Sequence, residues 1–173
     1  TDTEPGMYVG IIINRSLADT TDSVTGLGDI HALVNAIGEM RRVARKAGLI
    51  AIKIDDIAQV NARFGFDAGD RVLAESAACL MECSRGKGRL FRSTGPTFAA
   101  LFDDFDPEET DAIAEEIERF LGSPVLIGSL EYQPPIRVAT LHLDAVDRQP
   151  VSILNELKAR LIEAPQVPGT KLD

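Results

Sequence analysis

The sequence predicts an α/β domain in which helices pack around a central sheet with an antiparallel hairpin at its heart. Three observations carry that expectation. Its 173 residues suit one domain, and 45% hydrophobic with 26% charged residues argues against wholesale disorder. Apolar runs and amphipathic stripes follow in the order helix, strand, two helices, hairpin, helix, strands, helix. The hairpin is read from two strand-like segments, Arg89–Arg92 and Thr97–Phe102, divided by Ser93-Thr94-Gly95-Pro96, whose Gly-Pro step is a turn signal.

Each element follows from its residues. Met7–Asn14 (MYVGIIIN) is a β-branched apolar run and reads as a strand; Arg15–Ser23 (RSLADTTDS) is polar and reads as a linker. Residues 1–21 are therefore assigned to the end of an upstream segment with its linker, 22–164 to the main domain and 165–173 to a frayed tail. Ile30, Leu33, Val34, Ile37, Met40 and Ala44 follow a helical stripe, with Gly48 as its stop. Leu49–Ile54 (LIAIKI) reads as a buried strand that Asp55 and Asp56 terminate. Asp67 is expected to cap a helix with Val72, Leu73, Ser76, Ala77 and Leu80 inside. Asp106-Pro107-Glu108-Glu109 combines an N-cap, a proline in the first turn and acids that suit the helix dipole. The helix it starts should turn Ile113, Ile117, Phe120 and Leu121 inward. Val125–Ile127 and Ile136–Leu143 are further strands, and Val151–Glu163 is a last amphipathic helix.

Composition removes several function classes. With 18 Lys+Arg against 27 Asp+Glu the net charge is −9, which leaves no basic face for general nucleic-acid binding. No apolar run approaches the roughly 20 residues that a membrane-spanning helix needs. Thr1–Gly6 is polar without a basic n-region, so no signal peptide is read there, and a cytoplasmic location is expected. The absence of an initiator Met reads as a piece of something longer. Cys79 and Cys83, at i and i+4 on one helix, read as buried reduced thiols rather than zinc ligands. His31 and His142 stand alone and receive no catalytic role.

Chemistry-bearing residues concentrate at Asp22–Asp29, Asp55–Asp70 and the turn Ser93–Phe98. Carboxylates at a strand end, such as Asp55 and Asp56, can hold a divalent cation, though more often they cap the next turn. Gly65-Phe66-Asp67-Ala68-Gly69-Asp70 reads as a phosphate- or base-binding loop or as an ordinary inter-helix turn. Together the three stretches are more specific. DSVTGLGD at Asp22–Asp29 resembles D-x-L-T-G-L-x-N, the opening motif of the GGDEF family of diguanylate cyclases. IDDIAQVNARFGFDAGDRVL at Ile54–Leu73 is similar to that family's D-h-F-K-x-I-N-D-x-x-G-H-x-x-G-D-x-x-L. RSTGPTFAALF at Arg92–Phe102 stands where the family has R-Y-G-G-D-E-F-A-v-l-l. The resemblance covers roughly Asp22–Glu163. It implies an α+β sandwich of the nucleotidyl-cyclase-like kind, with a central, mostly antiparallel sheet. The preceding strand and linker look like the end of a PAS-type sensor.

Active members of the family join two GTP molecules into cyclic di-GMP at a site completed by head-to-head dimerisation. In the register set by Gly65 and Gly69, the resemblance places the guanine-reading pair on Asn61 and Asp70, both of the right type to bond a guanine edge. The metal-binding Asp becomes Lys53, and a cation there repels the ion the reaction needs. Asp55 matches the second acid of the motif, so Asp55 and Asp56 are weak metal candidates. The phosphate-facing Lys becomes Ala58. The hairpin signature becomes Thr94-Gly95-Pro96-Thr97-Phe98, without either acid. The terminal A-K-x-x-G-R becomes Ala164-Pro165-Gln166-Val167-Pro168-Gly169. The inhibitory R-x-x-D keeps Arg85 but has Gly88 for its Asp, and so reads as a vestigial contact for cyclic di-GMP or as a solvated basic turn.

These readings point to a degenerate module of a bacterial cyclic di-GMP-type sensor protein, without cyclase activity, that binds GTP or another guanine nucleotide. Two rivals stay open. One is a nucleotide-free dimerisation or interaction module. The other is a weak residual cyclase or nucleotide hydrolase using Asp55 and Asp56. Expected partners are the nucleotide, the adjacent domains of the full-length protein and a second copy; Mg²⁺ is expected only where nucleotide binding survives.

Overall fold

The computed structural model describes residues 20–43, 46–121, 123–144 and 148–172, so the expected strand at 7–14 lies outside the described residues. Strand β1 (Lys46–Ile54) is the middle of the molecule. It pairs antiparallel with β3 (Thr97–Asp103) on one side and with β6 (Ile136–Asp144) on the other. Strand β2 (Arg89–Thr94) pairs antiparallel with β3, giving the order β2-β3-β1-β6. A separate ribbon joins β4 (Val125–Ile127), a strand the sequence suggested, to β5 (Leu130–Tyr132), one it did not.

Both faces of β1 are buried, which explains its unbroken apolar run. Ile50, Ile52 and Ile54 pack in one core with α2 (Ile57–Phe64), α3 (Phe66–Ser84) and α4 (Pro107–Phe120). Ala47, Leu49 and Ala51 pack in the other with α1 (Ile30–Val43) and α5 (Pro150–Glu163). The start of α4 is a complete capping box: Glu109 N–H donates to Asp106 Oδ1 at 2.8 Å, and Asp106 N–H to Glu109 Oε1 at 3.2 Å.

Four local expectations are corrected. Gly48 does not end a helix; it lies inside β1, where Thr110 of α4 sits on it and a Cβ would collide with the threonine hydroxyl. Asp67 does not cap α3: that place falls to Gly65, whose φ of 95° lets α2 end and α3 begin with a single residue between them, and Asp67 lies in the first turn. Phe120, expected inside, is 50% exposed at the last turn of α4, whereas Ile117 and Leu121 are buried as expected, with Ala114 beside them. The tail is not frayed through Leu172. Ile136 and Val167 exchange backbone hydrogen bonds of 3.1 and 2.8 Å, and Thr170 and Gln133 bond in both directions.

Candidate functional site

The end of β1 carries the strand-end candidates of the sequence, Lys53, Asp55 and Asp56. Lys53 stands opposite Thr97 on β3 and Arg137 on β6, and the hairpin turn is held close because Ile54 N–H donates to Pro96 O at 2.9 Å. Two residues on, Asp55 is 8% exposed and fully engaged. Its Oδ2 accepts from Arg137 Nε at 3.1 Å and from Gln166 Nε2 at 2.7 Å, while Lys53 Nζ lies 3.7 Å from Oδ1. A buried carboxylate is tolerated when paired and hydrogen-bonded in this way. Metal coordination there would have to displace two donors and approach a cation. The donor set therefore does not fit a divalent ion, and no group of three or more His, Cys, Asp or Glu converges among the described residues. Asp56, the other weak candidate, adopts φ 66° at the head of α2 and its side chain makes no cap bond. Burial, with Asp56 and Asp55 nearby, pushes the phenol of the fully buried Tyr132 up to about 12.

The turn itself is a structural device. Gly95 takes φ 53° and Pro96 follows it, so two residues reverse the chain between Thr94 and Thr97. Arg92 fastens the turn from within, donating through Nε to Gly95 O at 2.8 Å and through Nη1 to Asp22 at 3.1 Å. Asp22 also accepts from the Thr25 backbone and hydroxyl. Burial alone would raise the Asp22 carboxyl, but the Thr25 bonds and the Arg92 guanidinium outweigh it and hold it below its usual 3.8. The Asp22–Asp29 stretch thus buttresses the hairpin, a pairing across 70 residues that no local motif announces.

At the α2–α3 junction the structure brings Asn61 and Gly69, the residue before Asp70, together. Asn61 is half-buried in the last turn of α2 and packs so tightly on Gly69 that a Cβ there would collide with Oδ1. That Oδ1 is buried without a hydrogen-bond partner. Asp70, in the next position of α3, is exposed. Glycine at 69 is therefore what lets the Asn61 side chain of α2 pack directly on α3.

The other candidates have the following surroundings. Arg85 ends α3 at φ 53° and its Nη2 donates to Glu116 Oε1 at 2.8 Å. Gly88 lies under the Phe102 ring, which leaves no room for a side chain at the position of the inhibitory Asp. Arg89 bonds Asp103. Burial raises the Cys79 thiol and pushes Cys83 up to about 12, so neither is a thiolate at neutral pH. His31 is exposed and His142 Nε2 contacts Asp111 Oδ1 at 3.0 Å. The sequence missed one feature altogether: a cleft of about 480 Å³ between α1, α5 and the sheet.

With this geometry in hand, comparison with known proteins is informative. A family model described as diguanylate cyclase, GGDEF domain, matches residues 19–139. The chain is 29% identical over 119 residues to the cyclic di-GMP phosphodiesterase PdeR of Escherichia coli, covering 68% of this chain and 18% of that protein. It is 29% identical over 84 residues to the diguanylate cyclase DgcS of Shewanella oneidensis, covering 46% of this chain and 28% of that one. The chain thus spans less than a third of the length of these curated relatives. Among solved structures it matches the FimX GGDEF domain of Pseudomonas aeruginosa with a TM-score of 0.78 at 19% identity, over 84% of this chain and 93% of that one. It also matches the coiled coil and GGDEF domain of DgcB from Caulobacter crescentus in complex with c-di-GMP, with a TM-score of 0.74 at 19% identity, over 90% and 86%.

Proposed function

The chain belongs to the GGDEF domain family, and from that premise we propose that it is a member without diguanylate cyclase activity. In this reading it binds a guanine nucleotide through Asn61 and Asp70 and uses that binding to modulate an attached domain or a partner. The observation that carries the proposal is the state of Asp55. It is the one acid of the strand-end motif in place, and it is spent on Arg137 and Gln166. With Lys53, Pro96 and Thr97 at the other acid positions, no source of metal-borne charge remains to stabilise a phosphoryl-transfer transition state.

Asn61 and Asp70 need no metal to read a base. The exposed Asp70 carboxylate is an acceptor for the N–H edge of guanine, and a turn of the Asn61 amide frees its carbonyl from Gly69. The test is a calorimetric titration of GTP with Mg²⁺ and again with EDTA, alongside an assay for cyclic di-GMP. Equal saturable binding in both buffers with no product is the expected result. Metal-dependent product formation would overturn it. The buried, unbonded Asn61 Oδ1 favours one second reading, a nucleotide-free interaction module, to which flat titrations at millimolar GTP with retained self-association would point.

A further inference from the structure

The cleft between α1, α5 and the sheet lies on the face opposite the α2–α3 junction, and its origin is in the strand register. On the face covered by α1 and α5, three cross-strand rows succeed one another toward the hairpin turn. Leu101, Leu49 and Leu141 form the first, Ala99, Ala51 and Ala139 the second, and Thr97, Lys53 and Arg137 the third. The leucine row is fully buried and fills the space beneath the helices. The alanine row carries only methyl groups, so Leu33 of α1 and Leu154, Leu157 and Leu161 of α5 stand over a gap. That gap is the cleft.

Its mouth has the opposite character. Lys53 comes from the sheet and Lys158 from α5, and Thr94 and Thr97 line the same opening. Lys158 has no ion pair or hydrogen bond among the described residues, whereas Arg148 and Arg160 both hold Glu156. The Lys53 ammonium lies 3.7 Å from Asp55 Oδ1, beyond hydrogen-bond distance, while Arg137 and Gln166 bond Oδ2. The Thr94 and Thr97 hydroxyls also lack partners among the described residues. In a chain of net charge −9, an apolar interior with a cationic, hydroxyl-bearing rim is a specific complement.

We propose that this cleft binds a small amphipathic carboxylate, its apolar body of roughly ten carbons over the alanine row and its head group at Lys53 and Lys158. The site is independent of Asn61 and Asp70. It needs no metal, since the lysines supply the positive charge.

The test is calorimetry of decanoate into the 173-residue chain, with decanol as the neutral counterpart. Saturable one-to-one decanoate binding is expected. The Lys53→Gln/Lys158→Gln variant should weaken decanoate about tenfold, the value of two modest ion pairs, and leave decanol unchanged. Ala51→Leu extends the leucine row into the cleft and should abolish binding of both. Should Ala51→Leu fail to fold, Leu154→Trp narrows the cleft from the half-buried side of α5 and takes its place. Asn61→Ala/Asp70→Ala should change neither ligand. Absence of saturable decanoate binding overturns the proposal, as does equal decanoate affinity in the lysine variant, or in the cleft-filling variant.

Discussion

The α2–α3 junction and the corner formed by β1 with the hairpin are both family landmarks, yet they differ in what their geometry depends on. At the junction, packing and the proposed recognition use the same residues: Gly69 has no side chain, Asn61 fits against it, and Asp70 follows. At the corner, packing is carried by the backbone. Lys53 faces Thr97 in register, and Ile54 N–H bonds Pro96 O, whatever side chains those positions bear. A site whose residues also hold the helices together resists change, whereas a site built on strand pairing can lose its acids and leave the fold intact. Asp55 at the corner is held by Arg137 and Gln166, and on the reading proposed above it serves structure there and not chemistry.

Four variants sharpen or break this contrast. The largest effect is expected from Asn61→Ala/Asp70→Ala, which should lower GTP affinity about a hundredfold on the basis of two lost base contacts; unchanged affinity by calorimetry would remove the junction from the binding site. Next, Asp55→Ala strands Arg137 beside a buried carboxylate position and should cost about 2–3 kcal/mol in urea unfolding, less than for a fully buried pair. GTP affinity should not move; a coincident loss of nucleotide binding would restore a ligand role to the corner.

Gly69→Ala should destabilise by about 1–3 kcal/mol, since the added methyl collides with Asn61, and should also weaken GTP. A stability loss without a GTP effect would separate packing from recognition. The smallest effect belongs to Asp22→Asn, worth about 1 kcal/mol at neutral pH. Because the Asp22 carboxyl is held below 3.8, its stabilising contribution is fully present above that pH and disappears as pH falls through the lowered value. Wild type and variant should therefore converge in acid, as followed by thermal melts from pH 6 downward.

Much of the fold was legible because its signals are local. The Asp106 capping box and the stripe of α1 lie within a few residues of each other along the chain. Gly48 misled because a glycine after an amphipathic stripe is a common stop, and Thr110, the residue that requires a glycine there, is remote in sequence. The apolar run Val125–Ile127 announced β4, but β5, three residues with an exposed Leu-Glu start, is too short to show a period. At the candidate site, residue types were legible and their partners were not. Arg137 and Gln166 meet Asp55 across 82 and 111 residues, and the alanine row exists only once three strands are in register.

The fastening of the tail has a consequence for how the molecule breathes. Ile136 and Val167 protect each other's amide protons, and Gln166, between α5 and that bridge, is bound to Asp55. Solvent reaches those two amides only when the bridge itself opens. Hydrogen exchange at Ile136 and Val167 should then proceed at one common rate, slower than in an untethered terminus and matched to the opening of this sheet edge. Gln166→Ala should speed both together. The Gln166–Val167 stretch is in this sense a latch, and its exchange rate is a measure of how often the sheet edge comes undone.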